Sequence, residues 1–383
     1  MAQAGEKPAG KKRGGDRFWP WTPRFWSGMN APAWFSLLAR NRCAVSPSRW
    51  LLALNISVSS LANSLFAGIQ GLRYGRRIRA ARLPQDPIFI LGHWRSGTTL
   101  LHELLVLDRR FTFPDNYAAF GPDHFLVSAW FFKPLLWLLV PRQRPMDNML
   151  FAWHLPQEDE FALCNMGARS PYLSTAFPNR PLQDRDYLDL ANLPPAALDR
   201  WKRCLLRFLK SLTVQEAKPI VLKSPPHTAR IRVLLEMFPQ AKFVHIVRDP
   251  QVLFASTCNL WRRLFETQGM QKPNFEGIEE NVFETFERMY AAYDRDRPLI
   301  PPGQFAEVRY EDLVARPMDE MRRIYEELGL GGFDEAAPQL AAYFAEKADY
   351  QTNRYQLSPE LADEVRRRWG WFAARYGYAP PAE

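Results

Sequence analysis

The residues best suited to chemistry form a glycine-rich turn between an apolar strand pattern and an apolar helical pattern. Gly92 and Gly97 are separated by four residues, and the turn contains Arg95 and Ser96. Such a turn directs backbone N–H groups and a helix N-terminus at one point, which creates an anion site. The spacing is that of a phosphate-binding P-loop, but Thr98 stands where that loop carries its lysine. With Arg95 as the cation, the turn suits a group carried on a single nucleotide phosphate better than cleavage of a β–γ bond.

A second cation follows another apolar strand pattern. Residues 243–247 are apolar apart from one histidine and lead into Arg248, Asp249 and Pro250, and Ser256 lies eight residues after Arg248. Asp249 can cap the next helix, and Pro250 suits its first position. Ser256 is then expected about two turns along that helix. We therefore expect Arg248 and Ser256 to face the same anionic group.

A third cation, Lys223, ends a short buried-strand pattern over 218–223. The segment 228–238 has helical periodicity, so the strand, helix and next strand predict a parallel pair with a right-handed crossover. Lys223 and Arg248 would then follow neighbouring strands, at the carboxyl edge where open α/β sheets bind ligands. The alternative is a lysine that merely ends a strand.

Together these motifs resemble sulfotransferases that use 3′-phosphoadenosine-5′-phosphosulfate (PAPS). The residues that resemble the 5′-phosphosulfate loop of that family are Arg95, Ser96, Gly97, Thr98, Thr99 and Leu100. Arg248 and Ser256 resemble the pair that holds the 3′-phosphate. Lys223 stands in a context similar to the transition-state lysine of protein-tyrosine sulfotransferases, although Lys-Ser-Pro replaces Lys-Asp-Pro.

The resemblance implies an α/β fold: a P-loop-like three-layer arrangement with a central parallel sheet flanked by helices, plus an N-terminal helical extension. It also implies in-line transfer of a sulfuryl group from PAPS to a hydroxyl, without a divalent metal. Arg95, Lys223 and the loop N–H groups would meet the charge that develops in the transition state. The C-terminal run through Asn353, Arg354 and Tyr355 is expected to close over the nucleotide.

Such a transfer needs a base within hydrogen-bond reach of the acceptor hydroxyl, and the resemblance implies a histidine or a glutamate. The segment 153–161 offers Glu158 as first candidate, His154 as second and Glu160 as third. Acids in a row also suit a helix N-terminus, so a purely structural role stays open. Asp115, twenty residues after the loop arginine, stands where protein-tyrosine sulfotransferases carry their glutamate. It is an outside candidate, and its identity disfavours a protein-tyrosine acceptor.

Composition sets the outer limits. The 383 residues are 47 % hydrophobic, enough for a large core, and 50 basic against 41 acidic residues give a net charge of +9. This charge suits a polyanionic nucleotide as well as a nucleic acid; no nucleic-acid-binding module is recognisable, so no such partner is expected. The cysteines lack metal-ligand or disulfide-framework spacing: Cys43, Cys164, Cys204 and Cys258. We therefore expect reduced thiols, a cytoplasmic location and no metal site.

The N-terminal part is predicted to be a tail over 1–16 and a helical extension over 17–84, followed by a catalytic domain over 85–383. The uncharged stretch 50–72 is too polar for a comfortable spanning helix. Its apolar stripe at helical spacing comprises Leu54, Val58, Leu61, Leu65, Ile69 and Leu72. The arginines that follow are Arg73, Arg76, Arg77, Arg79 and Arg82. Such a helix can lie on an anionic membrane surface or pack on its own domain.

A second apolar segment, 125–140, is aromatic and too short to span a membrane. Peripheral membrane contact through 50–82 and 125–140, on the inner face of the membrane, is therefore one expectation. The acceptor stays open among a lipid, a polyketide-like molecule, a saccharide and a peptide tyrosine, and 125–140 favours something hydrophobic. Two other classes also stay open: a P-loop kinase or nucleotidase using ATP and magnesium, and a non-catalytic membrane-associated nucleotide-binding protein. The oligomeric state is not predicted.

Overall fold

The computed structural model of the chain describes residues 24–137, 152–346 and 357–378. The strands among them are β1 (Ile88–Leu91), β2 (Val221–Lys223), β3 (Lys242–Val247) and β4 (Phe305–Arg309). The α-helices are α1 (Ala31–Arg40), α2 (Trp50–Ala80), α3 (Thr98–Leu105), α4 (Asn116–Phe120), α5 (Phe125–Trp137), α6 (Asp159–Asn165), α7 (Pro195–Gln215), α8 (Ile231–Met237), α9 (Pro250–Gln268), α10 (Ile278–Asp296), α11 (Tyr310–Ala315), α12 (Pro317–Glu327), α13 (Phe333–Glu346) and α14 (Pro359–Arg375). The predicted tail over 1–16, the end of the apolar segment over 138–140 and the C-terminal residues 353–355 lie outside the described ranges.

The strands form one parallel sheet in the order β2-β1-β3-β4. The expectation that Lys223 and Arg248 follow neighbouring strands is wrong, because β1 pairs with both β2 and β3 and lies between them. Strand order depends on pairing across the sheet, and the periodicity of residues along the chain carries no information about it. The glycine-rich turn after β1 consequently lies between the two cations.

The connection from β2 to β3 contains less α-helix than the expected 228–238. A 3-10 turn covers Pro225–Ala229, and α8 covers only Ile231–Met237. A tertiary contact ties this turn to the loop after β1. The Thr228 hydroxyl accepts a hydrogen bond from the Gly92 N–H at 2.7 Å and donates one to the Gly92 carbonyl oxygen at 3.2 Å.

The sheet lies between two helical layers, and its residues alternate between them. Phe89 of β1 packs in the larger core with residues of α9, α10 and α14. Ile90, the next residue, packs in a second core with residues of α3, α12 and α13. This alternation follows from the opposite directions of successive side chains in a strand. The predicted α/β fold, with a central parallel sheet flanked by helices, is confirmed.

The N-terminal helices contribute to the larger core through Trp26, Trp34 and Leu52. The helix expected over 50–72 is present and is longer, because α2 continues to Ala80. Among the described residues, the helix Pro47–Ala80 is the one that is long and apolar enough to cross a membrane, judged by length and composition alone. Its predicted apolar stripe nevertheless faces solvent, from Leu54 to Leu72.

Candidate active site

The turn after β1 has the backbone geometry that its glycines predict. Gly92 and Gly97 have φ angles of 147° and 107°, and Arg95 between them has a φ of 70°. An arginine in the left-handed region of backbone conformation is uncommon and costs conformational energy. Residues with such strained backbones are concentrated in functional loops. A Cβ atom at Gly97 would lie 2.4 Å from the Tyr310 ring, so a larger residue does not fit there. The helix α3 begins directly after this turn, at Thr98.

The two predicted anion-binding arginines meet at this turn. Arg95 Nε donates to Ser256 Oγ at 2.8 Å, and Arg248 Nη1 donates to the Arg95 carbonyl oxygen at 3.1 Å. The Arg248 guanidinium also lies over the Tyr310 ring, 4.2 Å from its centroid. Ser256 is buried in the second turn of α9. Residues that are more than 150 positions apart in the chain are thus in direct contact.

The start of α9 forms as the sequence predicts. Asp249 is the N-cap, and its carboxylate accepts hydrogen bonds from the N–H groups of Gln251 and Val252 at 2.8 and 3.1 Å. Pro250 is the first helical residue. This cap satisfies helix N–H groups that would otherwise lack partners and holds the strand-to-helix junction that presents Arg248.

Two other predicted catalytic residues, Lys223 and Glu158, form a second cluster beside the turn. Lys223 Nζ donates to Glu158 Oε1 at 2.8 Å, and the same ammonium lies 3.4 Å from Thr99 Oγ1. Both side chains are largely buried, with 5 % of Lys223 and 13 % of Glu158 exposed. Since Thr99 belongs to α3, this contact joins the ion pair to the helix that follows the anion site.

The other carboxylate oxygen of Glu158 is held by a tyrosine that the sequence analysis missed. Tyr172 OH donates to Glu158 Oε2 at 2.5 Å and accepts from Trp94 Nε1 at 2.5 Å. Burial, and then the Glu158 charge, raise the pKa of Tyr172 well above its usual value, so its hydroxyl stays protonated and donates. Trp94 directly precedes Arg95, so the chain Trp94–Tyr172–Glu158 connects the turn to the carboxylate. Tyr172 lies fourteen residues from Glu158 in a 3-10 turn and carries no motif that could have indicated it.

The neighbouring acids have structural partners. Asp159 accepts from Ser224 Oγ at 2.8 Å and pairs with His227 Nε2 at 2.8 Å. Glu160 forms a fully buried bidentate pair with Arg230, at 2.6 and 2.9 Å. Both acids lie in the first turn of α6, where acids suit the helix dipole. Of the three acids in this segment, Glu158 is therefore the one whose carboxylate contacts Lys223.

The other proposed bases lie elsewhere. His154 is exposed and makes no hydrogen bond to a described residue. Asp115 caps α4 and forms an ion pair with Lys133 at 2.6 Å. His93, which directly precedes Trp94, is fully buried, and burial lowers its pKa to about 3. With so low a pKa, the His93 ring is too weak a base to take a proton near neutral pH.

The donor set fits an anionic nucleotide. Arg248 donates a single hydrogen bond to the described residues, so most of its five N–H groups remain for a ligand. Lys223 contacts Thr99 in the first turn of α3, and the N-terminus of α3 with the loop N–H groups forms an anion site next to Arg95. Within the described ranges, no group of three or more His, Cys, Asp or Glu is arranged to hold a metal ion. The expectation that the reaction needs no metal stays a prediction.

Comparisons with known proteins agree with this geometry. Residues 87–335 match the family model described as the sulfotransferase family. An omega-hydroxy-beta-dihydromenaquinone-9 sulfotransferase of Mycobacterium tuberculosis is 47 % identical over 362 residues, which cover 94 % of this chain and 93 % of that protein. The enzyme of the same name from Mycobacterium bovis has the same identity and coverage.

Two crystal structures share the fold. A sulfotransferase of Mycobacterium avium superposes with a TM-score of 0.65 at 19 % identity, over 93 % of this chain and 98 % of that one. A sulfotransferase of Mycobacterium tuberculosis gives a TM-score of 0.60 at 19 % identity, over 88 % and 90 % of the two chains. At this identity the likeness extends to the fold alone.

Proposed function

Because this chain belongs to the sulfotransferase family, we propose that it transfers the sulfuryl group of PAPS to a hydroxyl of a lipid-like acceptor. The observation that carries this proposal is the placement of the Lys223–Glu158 pair against Thr99 of α3, beside the Arg95 turn. It joins a cation, a candidate base and an anion site in one buried cluster. A kinase or nucleotidase using ATP and magnesium gains no support, because the loop lysine is absent and the family match is to sulfotransferases.

In this proposal the donor is bound by the loop and by Arg248. The residues for the 5′-phosphosulfate are those of the turn and the start of α3: Arg95, Ser96, Gly97, Thr98, Thr99 and Leu100. Arg248 and Ser256 bind the 3′-phosphate and so distinguish PAPS from ATP. The contact between Arg95 and Ser256 supports adjacent sites for the two phosphates, because the candidate residues of each belong to one hydrogen-bonded network.

PAPS supplies an activated sulfuryl group, and the residues of the chain supply positioning and charge. Glu158 accepts the proton of the acceptor hydroxyl while Tyr172 and Lys223 hold its two oxygens. Lys223 and Arg95 stabilise the negative charge that develops on the sulfuryl and bridging oxygens. His154, the second candidate for the base, is exposed and makes no hydrogen bond to the described residues of this cluster, which favours Glu158.

The proposed acceptor is hydrophobic and carries a hydroxyl. The relatives that are 47 % identical over nearly the whole chain are named for sulfation of a hydroxylated dihydromenaquinone. The exposed apolar residues of α2 and α5 also suit a lipid. Peripheral membrane contact through 50–82 and 125–140 is part of this proposal. We also propose a cytoplasmic location, on the inner face of the membrane. The four free cysteines fit it, because thiols stay reduced in the cytoplasm.

The first test is calorimetric titration of the purified protein with 3′-phosphoadenosine-5′-phosphate and with ATP, both in EDTA. We expect tight, metal-independent binding of the 3′-phosphorylated nucleotide alone. A second measurement follows transfer of label from [35S]PAPS to farnesol and to N-acetyltyrosine ethyl ester. Transfer to the prenyl alcohol is expected. Binding of ATP alone would contradict the donor assignment, and transfer to the tyrosine ester alone would contradict the acceptor assignment.

A further inference from the structure

The helix α2 exposes a long row of apolar side chains, whereas a surface helix on a soluble domain exposes polar ones. Its buried side contains Ser60 and Gln70 besides the apolar Leu52, Ile56 and Ile78. Leu54, Leu61 and Leu65 are 57–66 % exposed, and Leu72 is 91 % exposed. From Leu54 to Leu72 the row is about 27 Å long, at about 1.5 Å per residue. We define the α2–α5 face as the exposed apolar residues of these two helices: Trp50, Leu51, Leu54, Val58, Leu61, Leu65, Ile69, Leu72, Trp130, Phe131 and Leu135.

Hydrogen bonds to the rest of the protein fix this orientation of α2. Ser57 accepts from Trp34 Nε1 at 2.8 Å, and Ser64 accepts from the Ala31 N–H at 2.8 Å. Asn63 Nδ2 donates to two carbonyl oxygens of the segment before α1, at 2.8 and 3.0 Å. Turning the leucines inward would break these bonds and leave buried polar groups without partners, which is costly. The exposure of the stripe is therefore imposed by the fold.

The helix α5 extends the same apolar surface. Phe66 of α2 packs edge-on against Phe132 of α5, with ring centroids 5.5 Å apart. Phe132 contacts Phe131, and Phe131 contacts Trp130, which is 78 % exposed. A large, contiguous apolar surface of this kind marks an interaction site.

The charged residues along the chain segment that contains α2 are of one sign. Between Asp16 and Asp86 the chain contains no acidic residue. The arginines at the end of α2 and just beyond it are all exposed: Arg73, Arg76, Arg77, Arg79 and Arg82. An apolar helix face followed by cations complements a surface that is apolar inside and anionic outside. In a second copy of the chain, α2 carries no acid that could pair with these arginines in a symmetric contact, which disfavours that occupant.

We propose that the α2–α5 face docks flat on an anionic lipid bilayer, with α2 lying in the interface plane and the arginines contacting lipid phosphates. A spanning α2 is disfavoured, because its inward side is hydrogen-bonded to the protein and cannot also face lipid. The face lies near the candidate site. Lys133 of α5 pairs with Asp115, and Asp115 is bridged to Pro156, two residues before Glu158. Docking specifies the membrane contact that the proposed function includes. Delivery of the acceptor from the bilayer to Glu158 rests on the proposed transfer reaction, whereas vesicle binding needs no catalysis and is tested separately.

The test is co-sedimentation of the purified protein with vesicles of phosphatidylglycerol and phosphatidylcholine, 1:1, and of phosphatidylcholine alone. We expect binding to the anionic vesicles that weakens with salt, because exposed charges are screened. The double variant Leu61→Ser with Leu65→Ser should lower the partition coefficient at least tenfold, since two leucines no longer enter the bilayer. Arg76→Gln with Arg77→Gln should lower it about tenfold or more, at about 1 kcal/mol per arginine near an anionic surface.

Matched controls alter the same residue types outside the α2–α5 face. Leu299 and Val314 are exposed apolar residues elsewhere, so replacing both by serine should leave vesicle binding unchanged. Arg366→Gln with Arg367→Gln removes two charges from α14 and should also have no effect. The inference would be overturned if the protein did not bind anionic vesicles, or if the control variants weakened binding as much as the test variants. It would also be overturned if the protein were a dimer that the leucine variants dissociate. Nucleotide titration of every variant separates membrane docking from the proposed nucleotide site. A protein that keeps its nucleotide affinity but does not bind vesicles would reject the docking and leave the nucleotide site in place.

Discussion

Replacing Glu158 by glutamine removes the proposed base while keeping the size of its side chain. Both of its neighbours are donors, the Lys223 ammonium at 2.8 Å and the Tyr172 hydroxyl at 2.5 Å. A carboxylate accepts from both, whereas an amide accepts on one side and presents N–H groups on the other. One charge-assisted contact and the counter-charge of Lys223 are lost, which should lower the free energy of unfolding by about 3 kcal/mol, the lower end for a buried pair because Glu158 is partly exposed. A domain of ordinary stability remains folded after such a loss.

The effect on catalysis should be larger. Loss of a general base typically slows turnover about 10²–10⁴-fold, which corresponds to about 3–5 kcal/mol of activation free energy. The assay is single-turnover transfer from [35S]PAPS with the donor saturating, combined with calorimetric affinity for 3′-phosphoadenosine-5′-phosphate. We expect unchanged nucleotide affinity, because Glu158 faces Lys223 and Tyr172 rather than Arg248.

Glu160→Gln is the matched control, two residues along the same segment. Glu160 is buried against Arg230 with neither side chain exposed, so its loss should cost about 3–5 kcal/mol of stability. The rate of the folded fraction should stay near that of the parent protein. Near-normal turnover of Glu158→Gln would refute the assignment of the base and move it to His154 or to a residue outside this cluster.

Three other substitutions or conditions test the remaining assignments. Arg248→Ala should weaken binding of 3′-phosphoadenosine-5′-phosphate at least tenfold by calorimetry, with a smaller effect on turnover of bound donor; an unchanged Kd would remove it from the 3′-phosphate site. Tyr172→Phe should slow turnover about tenfold, the value of one charge-assisted hydrogen bond, and reduced nucleotide affinity instead would place Tyr172 in donor binding. Burial lowers the pKa of His93 and His102 to about 3 and that of His124 to about 4. Between pH 6.5, the ordinary histidine pKa, and these lowered values, the unfolded chain binds more protons than the folded chain. The free energy of unfolding is therefore greatest above pH 6.5. It falls as the pH falls through this range, by up to about 1.4 kcal/mol per pH unit for each ring. Urea unfolding at pH 7.5 and 5.0 measures this fall, and equal midpoints would show that the rings are not held neutral.

Part of the candidate site could be predicted from the sequence, because it depends on the conformational preferences of neighbouring residues. The turn from Gly92 to Gly97 needs positive φ angles, which glycine supplies, and the structure has them. Asp249 and Pro250 suit the first positions of a helix and stand there. Such features depend on residues within a few positions of each other, so composition and spacing are sufficient to predict them.

Other features depend on contacts that chain order does not reveal. The position of β1 between β2 and β3 follows from pairing across the sheet. Tyr172 reaches Glu158 only because α6 and the 3-10 turn after it fold against the loop carrying Trp94. Glu158, Asp159 and Glu160 look alike in the sequence, and only their different partners separate one candidate base from two structural acids.

The helix α2 shows the same division most clearly. Its sequence alone determined that residues 50–72 form a helix with one apolar and one polar side, because hydrophobic periodicity is a local property. Which side faces the protein was decided by tertiary hydrogen bonds from Trp34 and Ala31 to the serines of α2. Buried polar groups must be paired, and the partners lie on other elements. The sequence therefore determined the two sides of α2, and the fold decided that the leucines face outward.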